Sequence, residues 1–301
     1  MSSTIRTIEQ KDFHTHPLLA RLLELHDIPK KIFIQGVLPD ITIDIYGRAT
    51  PRILTVVGSR KNTAYGRQSL EMLLASLKGE DVVIVSGLAY GIDSLAHKCA
   101  LMNTLVTIAI PGSGIDPSVL YPSAHRELAK DIVGYDGALI SELEPLTRAA
   151  PWTFPKRNCL MAALCDALLV VEAEEKSGTL ITAKLALELG RDIGAIPGEI
   201  VSPTSTGTNM LIHEGATLIA SPSHLFSLLH LSEKSNDIKN ETLLSFTDHE
   251  KIILELLRET SNKDVLMEKS NLTFENFLVA FSSLEINGQL EESFGEVRRL
   301  V

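Results

Sequence analysis

Two short stretches decide the fold: Val57-Gly-Ser-Arg60 and Ser86-Gly-Leu-Ala-Tyr-Gly-Ile-Asp93. Each follows a continuous apolar run, at 53–57 and 82–85, and each leads into a stretch of helical periodicity. Continuous apolar runs, rather than alternating ones, are the mark of parallel strands covered on both faces. The strand-to-helix turn of such a sheet presents unpaired backbone N–H groups and the positive end of a helix dipole. Glycine permits close approach and positive φ there, serine adds a hydroxyl, and arginine adds a planar fork that matches phosphate. Two such turns side by side predict a floor for an anion.

Outward from these turns the alternation continues. Further strands are expected at 105–110, 137–141, 167–172 and 192–196, with helices over 65–77, 93–102, 123–132, 155–164 and 179–189. This order predicts an α/β fold: an extended Rossmann-like, doubly wound, mostly parallel sheet with its ligand at the carboxyl ends of the strands. Upstream, a leucine stripe (Leu18, Leu19, Leu22, Leu23, Leu25) predicts a helix over 17–26, and strands are expected at 31–35 and 41–45. Downstream, the polar stretch 232–240 reads as a linker. Thr247-Asp-His-Glu250 is a capping-box pattern opening an amphipathic helix. A helix over 263–270 and one capped by Thr273 follow, then a turn at Asn287-Gly288 with strand candidates at 289–292 and 296–301. The expected domains are therefore a lead-in packing on the sheet (1–50), the Rossmann-like domain (51–230), a linker (231–244) and a small winged helix (245–301).

The composition narrows the function. The chain has 301 residues, 45% of them apolar, and no run of about 18 apolar residues that would predict a membrane span. Its first residues lack the apolar core of a signal peptide. Three cysteines (Cys99, Cys159, Cys165) without a CxxC pair predict neither zinc nor disulfides but buried thiols in a reducing cytosol. A cytoplasmic protein without metal or cofactor is expected. His14 and His16 lack a third ligand nearby and read as surface residues. The net charge of −10 argues against coating nucleic acid by bulk electrostatics. Fourteen acidic and eight basic residues lie in 231–301, so most of that excess is C-terminal. An acidic winged helix reads as an interaction module rather than a DNA binder.

The expected strand ends gather Arg60, Lys61, Arg67, Arg148, Lys156 and Arg157 on one edge. Each alone would be an ordinary solvated charge; together they predict a local anion site. Trp152 and Phe154 stand beside Lys156 and Arg157, and aromatic faces next to cations are what single-stranded nucleic acid requires, although either ring would also suit a core. An enzyme finds less support. Asp93 and His97 lie one helical turn apart, but Asp93 is explained as a helix-start charge and His97 has no nucleophile to serve. No Walker pattern and no GxGxxG with a ribose acid is present, so the chain is not expected to be an enzyme.

The ordered set of motifs resembles the DprA (Smf) family, the DNA-processing proteins of natural transformation. The matching residues are Val57-Gly-Ser-Arg60, Ser86-Gly-Leu-Ala-Tyr-Gly-Ile-Asp93 with His97, Tyr121-Pro122, Phe154-Pro-Lys-Arg-Asn158, Ser177-Gly-Thr-Leu-Ile-Thr182, Ile196-Pro-Gly198 and Gly207-Thr-Asn-Met-Leu-Ile212. The resemblance covers about 13–225. It implies single-stranded DNA binding without cleavage, homodimers, loading of the RecA recombinase and displacement of single-strand-binding protein. On this resemblance Gly58, Ser59 and Arg60 hold a phosphate, Ser86 and Gly87 line the pocket, and Phe154 stacks a base. Gly112, Lys156, Arg157, Asn158, Ser177 and Gly178 complete the nucleic-acid set, and the dimer surface lies around Leu211, Ile212, His213 and Ala216. Three departures stand out. Cys159 replaces an arginine, Ser123-Ala-His-Arg126 replaces a Lys- or Asn-bearing segment, with Arg126 as a candidate for the lost charge, and no helix-hairpin-helix module is expected before residue 13. The alternative is a nucleotide-binding Rossmann protein, a phosphoribohydrolase or a nucleotide sensor. Against hydrolysis, Lys176-Ser-Gly-Thr-Leu-Ile-Thr182 lacks the double glycine and the glutamate of that loop.

Overall fold

The structure is a computed structural model that describes residues 4–43, 49–231, 247–257, 262–286, 290–293 and 296–299. Two units divide the chain, Met1–Leu231 and Ser232–Val301. The first begins with β1 (Arg6–Glu9), α1 (Pro17–Ala20), β2 (Lys31–Gly36) and the short pair β3 (Thr42–Ile43) and β4 (Ala49–Thr50). The alternating part follows: β5 (Arg52–Val57), α2 (Ala64–Ser76), β6 (Val82–Ser86), α3 (Ile92–Met102), β7 (Val106–Ala109), α4 (Arg126–Gly134) and β8 (Ala138–Ser141). It continues with α5 (Thr153–Leu164), β9 (Ala167–Val170), α6 (Gly178–Glu188), β10 (Asp192–Ala195), α7 (Pro203–His213), β11 (Thr217–Leu218) and α8 (Pro222–Leu228).

Nine of these strands form one sheet in the order β1-β2-β8-β7-β6-β5-β9-β10-β11, and β3 and β4 pair separately. Every neighbouring pair from β8 to β11 is parallel. The chain runs outward from β5 to β8 and then returns to lay β9 against the other side of β5. The strand order thus reverses between β5 and β9, which is where an open α/β sheet opens a crevice for a ligand. The expected mostly parallel, doubly wound sheet is therefore present.

Alternate residues of the parallel strands feed opposite faces. Ile53 and Val57 pack with Leu160, Ala163, Ala183 and Ala186 of α5 and α6, whereas Leu54 and Val56 pack with Leu70 and Leu74 of α2, Ala96 of α3 and Leu225 of α8. Each such fully buried leucine or isoleucine contributes about 1.5–3 kcal/mol by leaving water, which is why runs apolar on both faces fold as central strands. The lead-in extends the sheet as well as packing on it: β2 pairs antiparallel with β8 and β1 with β2, while Phe13, Leu18 and Leu22 enter the core.

Some elements differ from expectation. The leucine stripe forms only four α-helical residues before tightening into a 3-10 turn at Arg21–Glu24. A helix that short has little stability of its own. Arg21 is held instead by the Leu164 carbonyl (2.7 Å) and the Asp166 carboxylate (3.0 Å). The strand expected at 41–45 is seen only as Thr42–Ile43, and 44–48 lies outside the described residues. Helices α7 and α8 and strands β1 and β11 carry too weak a periodicity to be read from sequence. Among the described residues no helix is long and apolar enough to cross a membrane.

The second unit contains α9 (Asp248–Leu256), α10 (Lys263–Ser270), α11 (Phe274–Ile286), β12 (Leu290–Ser293) and β13 (Glu296–Arg299). Thr247 and Glu250 form the expected reciprocal capping box on α9. Ile253, Leu266, Phe277, Phe281 and Val297 build a core of its own. The hairpin strands pair from Leu290↔Arg299 to Ser293↔Glu296, so the chain reverses after Ser293. The turn expected at Asn287-Gly288 lies outside the described residues. Apart from Leu231, the linker expected at 231–244 is outside them too.

Candidate nucleic-acid interface

The turn after β5 is set by packing before any ligand is considered. A side chain on Gly58 would meet Ile92 at 2.7–3.0 Å, so glycine is required there by the close approach of α3. Ser59 then accepts the Lys61 N–H on its hydroxyl (3.1 Å), and its carbonyl accepts the Ile92 N–H (3.1 Å). The turn ends at Thr63, which caps α2 by accepting the Gly66 N–H (3.1 Å). Thr63 in turn is gripped by the buried carboxylate of Glu172, through its N–H (3.0 Å) and its hydroxyl (2.5 Å). Glu172 follows β9, so this contact ties together the two strands that flank the switch point.

The turn after β6 does something different. Ser86 is fully buried and its hydroxyl donates to the Val56 carbonyl at 2.7 Å. A side chain on Gly87 would fall on the Arg157 guanidinium. That guanidinium is 7% exposed and donates to Asp93 (3.3 Å) and to the Ile110 carbonyl (3.4 Å), with its Nε left without an acceptor. Burial pushes the Asp93 carboxyl up from its ordinary value, and the adjacent Arg157 charge opposes that rise. Gly91, at φ +77°, passes so close to the Ser59 and Arg60 backbone that only glycine fits, so the second turn buttresses the first.

Phe154 is placed by the residue before it. Buried Thr153 opens α5 and donates to the Gly112 carbonyl (2.6 Å), drawing the loop after β7 under the helix start. A side chain on Gly112 would meet the Phe154 ring at 2.5 Å, so the ring lies flush on that glycine. The Arg60 guanidinium sits over the same ring, 5.1 Å from its centroid. Such a contact contributes about 0.5–1 kcal/mol when exposed.

These parts enclose a cavity of about 390 Å³ at the β5–β9 switch point. Of the residues singled out from the sequence, Gly58, Ser59, Arg60, Phe154, Arg157, Asn158, Ser177 and Gly178 line it, joined by Lys61, Asp93, Glu174 and Thr179. Ser177 precedes α6 with its hydroxyl buried and unpartnered among the described residues; the Leu180 N–H goes to the Ser177 carbonyl (3.2 Å), and the N–H groups of Gly178 and Thr179 before it have no intrahelical acceptor. Four expected residues do not line the cavity. Ser86 is bonded into the sheet, Gly87 makes room for Arg157, Gly112 backs Phe154, and exposed Lys156 faces Glu142 at 3.6 Å. Trp152 is 55% exposed and also stands off it. Thr153 and Glu172, which position the site, carry no sequence signal beyond a hydroxyl at a helix start and an acid at a strand end.

Asp93 and His97 do not form a pair. His97 Nδ1 lies 2.7 Å from the Thr107 hydroxyl, which lies 2.9 Å from the Ile84 carbonyl. Burial, chiefly, lowers the His97 pKa to about 3. Cys159 does not line the cavity, and burial raises its thiol pKa. Of the residues expected at a dimer surface, Leu211, Ile212 and Ala216 pack partly against the core, and His213 is exposed.

The family model of DNA recombination-mediator protein A matches residues 5–230. The chain belongs to this family. It is 42% identical to DNA processing protein DprA of Streptococcus pneumoniae over 200 residues, 66% of this chain and 67% of that protein. It is 31% identical to Protein Smf of Escherichia coli over 312 residues, 100% of this chain and 81% of that one. The crystal structure of the Streptococcus pneumoniae protein matches with a TM-score of 0.64 at 37% identity, covering 74% of each chain. DNA processing protein A of Helicobacter pylori, solved for its single-stranded DNA binding mode, matches with a TM-score of 0.62 at 27% identity, covering 76% of this chain and 98% of that one.

Proposed function

We propose that this recombination-mediator family member binds single-stranded DNA in the switch-point cavity, protects incoming strands during natural transformation, and helps load RecA onto them in place of single-strand-binding protein. One observation carries the reading: Arg60, exposed and without a carboxylate partner among the described residues, is held over the Phe154 ring beside the unpaired start of α6. Cation, aromatic face and free N–H groups are the three things a phosphate and its base ask for. Because the ring already has Gly112 against it and Arg60 over it, a base stacks on Phe154 as Arg60 turns off the ring towards a phosphate. Arg157, paired with Asp93, acts as the floor that holds this arrangement. The named relatives support the reading, the Helicobacter pylori protein through its single-stranded DNA binding mode.

The same reading takes the edge beside β11, with Leu211, Ile212, His213 and Ala216, as the homodimer surface, and the acidic second unit as a winged helix that contacts a protein. The experiment is fluorescence anisotropy with labelled single- and double-stranded oligonucleotides of about 30 bases across a salt series. Tight binding to the single strand alone, weakened by Arg60→Ala, is expected. Binding to neither form overturns the proposal and points to a free nucleotide in the same cavity, which a thermal-shift screen of nucleotides would identify.

A further inference from the structure

Phe154 walls two cavities, not one. Beyond it lies a second space of about 460 Å³, bounded by Tyr121 from the loop after β7, Arg148 from the loop after β8, and Arg126 at the start of α4. The Tyr121 ring meets Phe154 edge-on, with centroids 6.0 Å apart and planes at 72°, and is 42% exposed. Arg148 is exposed and has no carboxylate partner among the described residues. Arg126 donates to the Ser118 carbonyl at 3.1 Å, while its Nε is buried without an acceptor among the described residues.

The opposite flank of the switch point differs. A cavity of about 650 Å³ there is lined by Tyr65, Ser202 and Ser205 together with Glu172 and Glu199, and among the described residues no cation shares its walls. A polyanion emerging from the main cavity therefore meets the guanidinium groups of Arg126 and Arg148 on one side and the exposed Glu199 carboxylate on the other, Glu172 being buried against Thr63.

We infer that Tyr121, Arg126 and Arg148 form a second nucleotide subsite, so that a bound strand leaves the main cavity past Phe154 towards β7 and β8 and not towards β10. Tyr121 supplies a face for the next base, and Arg126 and Arg148 flank the next phosphate. Phe154 is the wall shared by consecutive nucleotides. The inference rests on the single-stranded DNA reading above.

The test titrates the full chain with a labelled deoxythymidine oligonucleotide of about 20 bases across a salt series, with Arg60→Ala as the reference. Arg148→Ala, at an exposed side chain that leaves the fold intact, is expected to weaken binding about 3- to 10-fold at low salt. It should also flatten the log K against log salt slope by about 0.7, the loss of one single-strand phosphate contact. Tyr121→Ala is expected to weaken binding at least about 5-fold with the slope unchanged, since stacking releases no counterions. Glu199→Gln is expected to bind as wild type. If Arg60→Ala weakens binding while Arg148→Ala and Tyr121→Ala do not, the subsite is overturned and the single-stranded DNA reading stands. If Arg60→Ala is silent as well, that reading falls and the subsite with it. A tighter Glu199→Gln beside a silent Arg148→Ala would reverse the path and overturn the subsite.

Discussion

The turns after β5 and β6 look alike in sequence, and they do opposite work. Gly58-Ser59-Arg60 opens to the cavity and holds its cation free. Ser86-Gly87, one strand away, is sealed into the core, where its glycine makes room for Arg157 and its serine bonds to the neighbouring strand. The difference lies in where each strand ends relative to the reversal of strand order. β5 borders the switch point, where the helices of adjacent strands go to opposite faces and leave a gap; β6 lies one strand inward, where α3 and α5 close over its end. A glycine turn is thus a ligand site or a packing device according to its neighbours.

This contrast can be broken most forcefully at the buried turn. Asp93→Ala leaves the Arg157 charge buried without its carboxylate, and urea unfolding is expected to register a loss of about 3–5 kcal/mol. Gly87→Ala should act in the same direction, because its methyl displaces the guanidinium from Asp93. Stability unchanged by both would mean that Arg157 escapes to the cavity and serves a ligand directly.

The open turn predicts the reverse pattern. Arg60→Ala should weaken single-strand binding by about 1.5–3 kcal/mol, the range for a charged hydrogen bond, while unfolding shifts by under about 1 kcal/mol. Phe154→Ala comes next, at about 1–3 kcal/mol of binding with an unchanged salt slope; a flattened slope would show that the ring acts by aiming Arg60.

The comparison can also be sharpened through pH. His97, beneath the sealed turn, has a folded pKa of about 3 against an ordinary 6.5. Between those values the unfolded chain binds one proton more than the folded one, so acidification favours unfolding there. Its contribution is fully present above about pH 6.5 and is lost as pH falls towards 3, by up to about 1.4 kcal/mol per unit. His97→Gln should make the fall in denaturant midpoint over this range shallower than in wild type, whereas Arg60→Ala should leave it unchanged.

The sequence by itself determined the alternation of strands and helices, the parallel sheet and the family, and eight of the residues it singled out fall on the wall of the cavity. It could do so because apolar runs, turn chemistry and capping are local: each is written within a few residues and survives being read alone. Ser59, Arg60 and Phe154 were legible as a group, because a hydroxyl, a cation and an aromatic ring gathered at expected strand ends point to an anion site although each alone has an ordinary structural reading. Only the tertiary structure decided that Ser86, Gly87, Gly112 and Lys156 stand behind or beside the site. Those outcomes depend on which strands become neighbours across the reversal, as in the Glu172–Thr63 grip, the Arg157–Asp93 pair and the Phe154 ring on Gly112. Each joins residues from 40 to more than 100 positions apart, and no local pattern encodes such a partner, because it is packing between elements that chooses it.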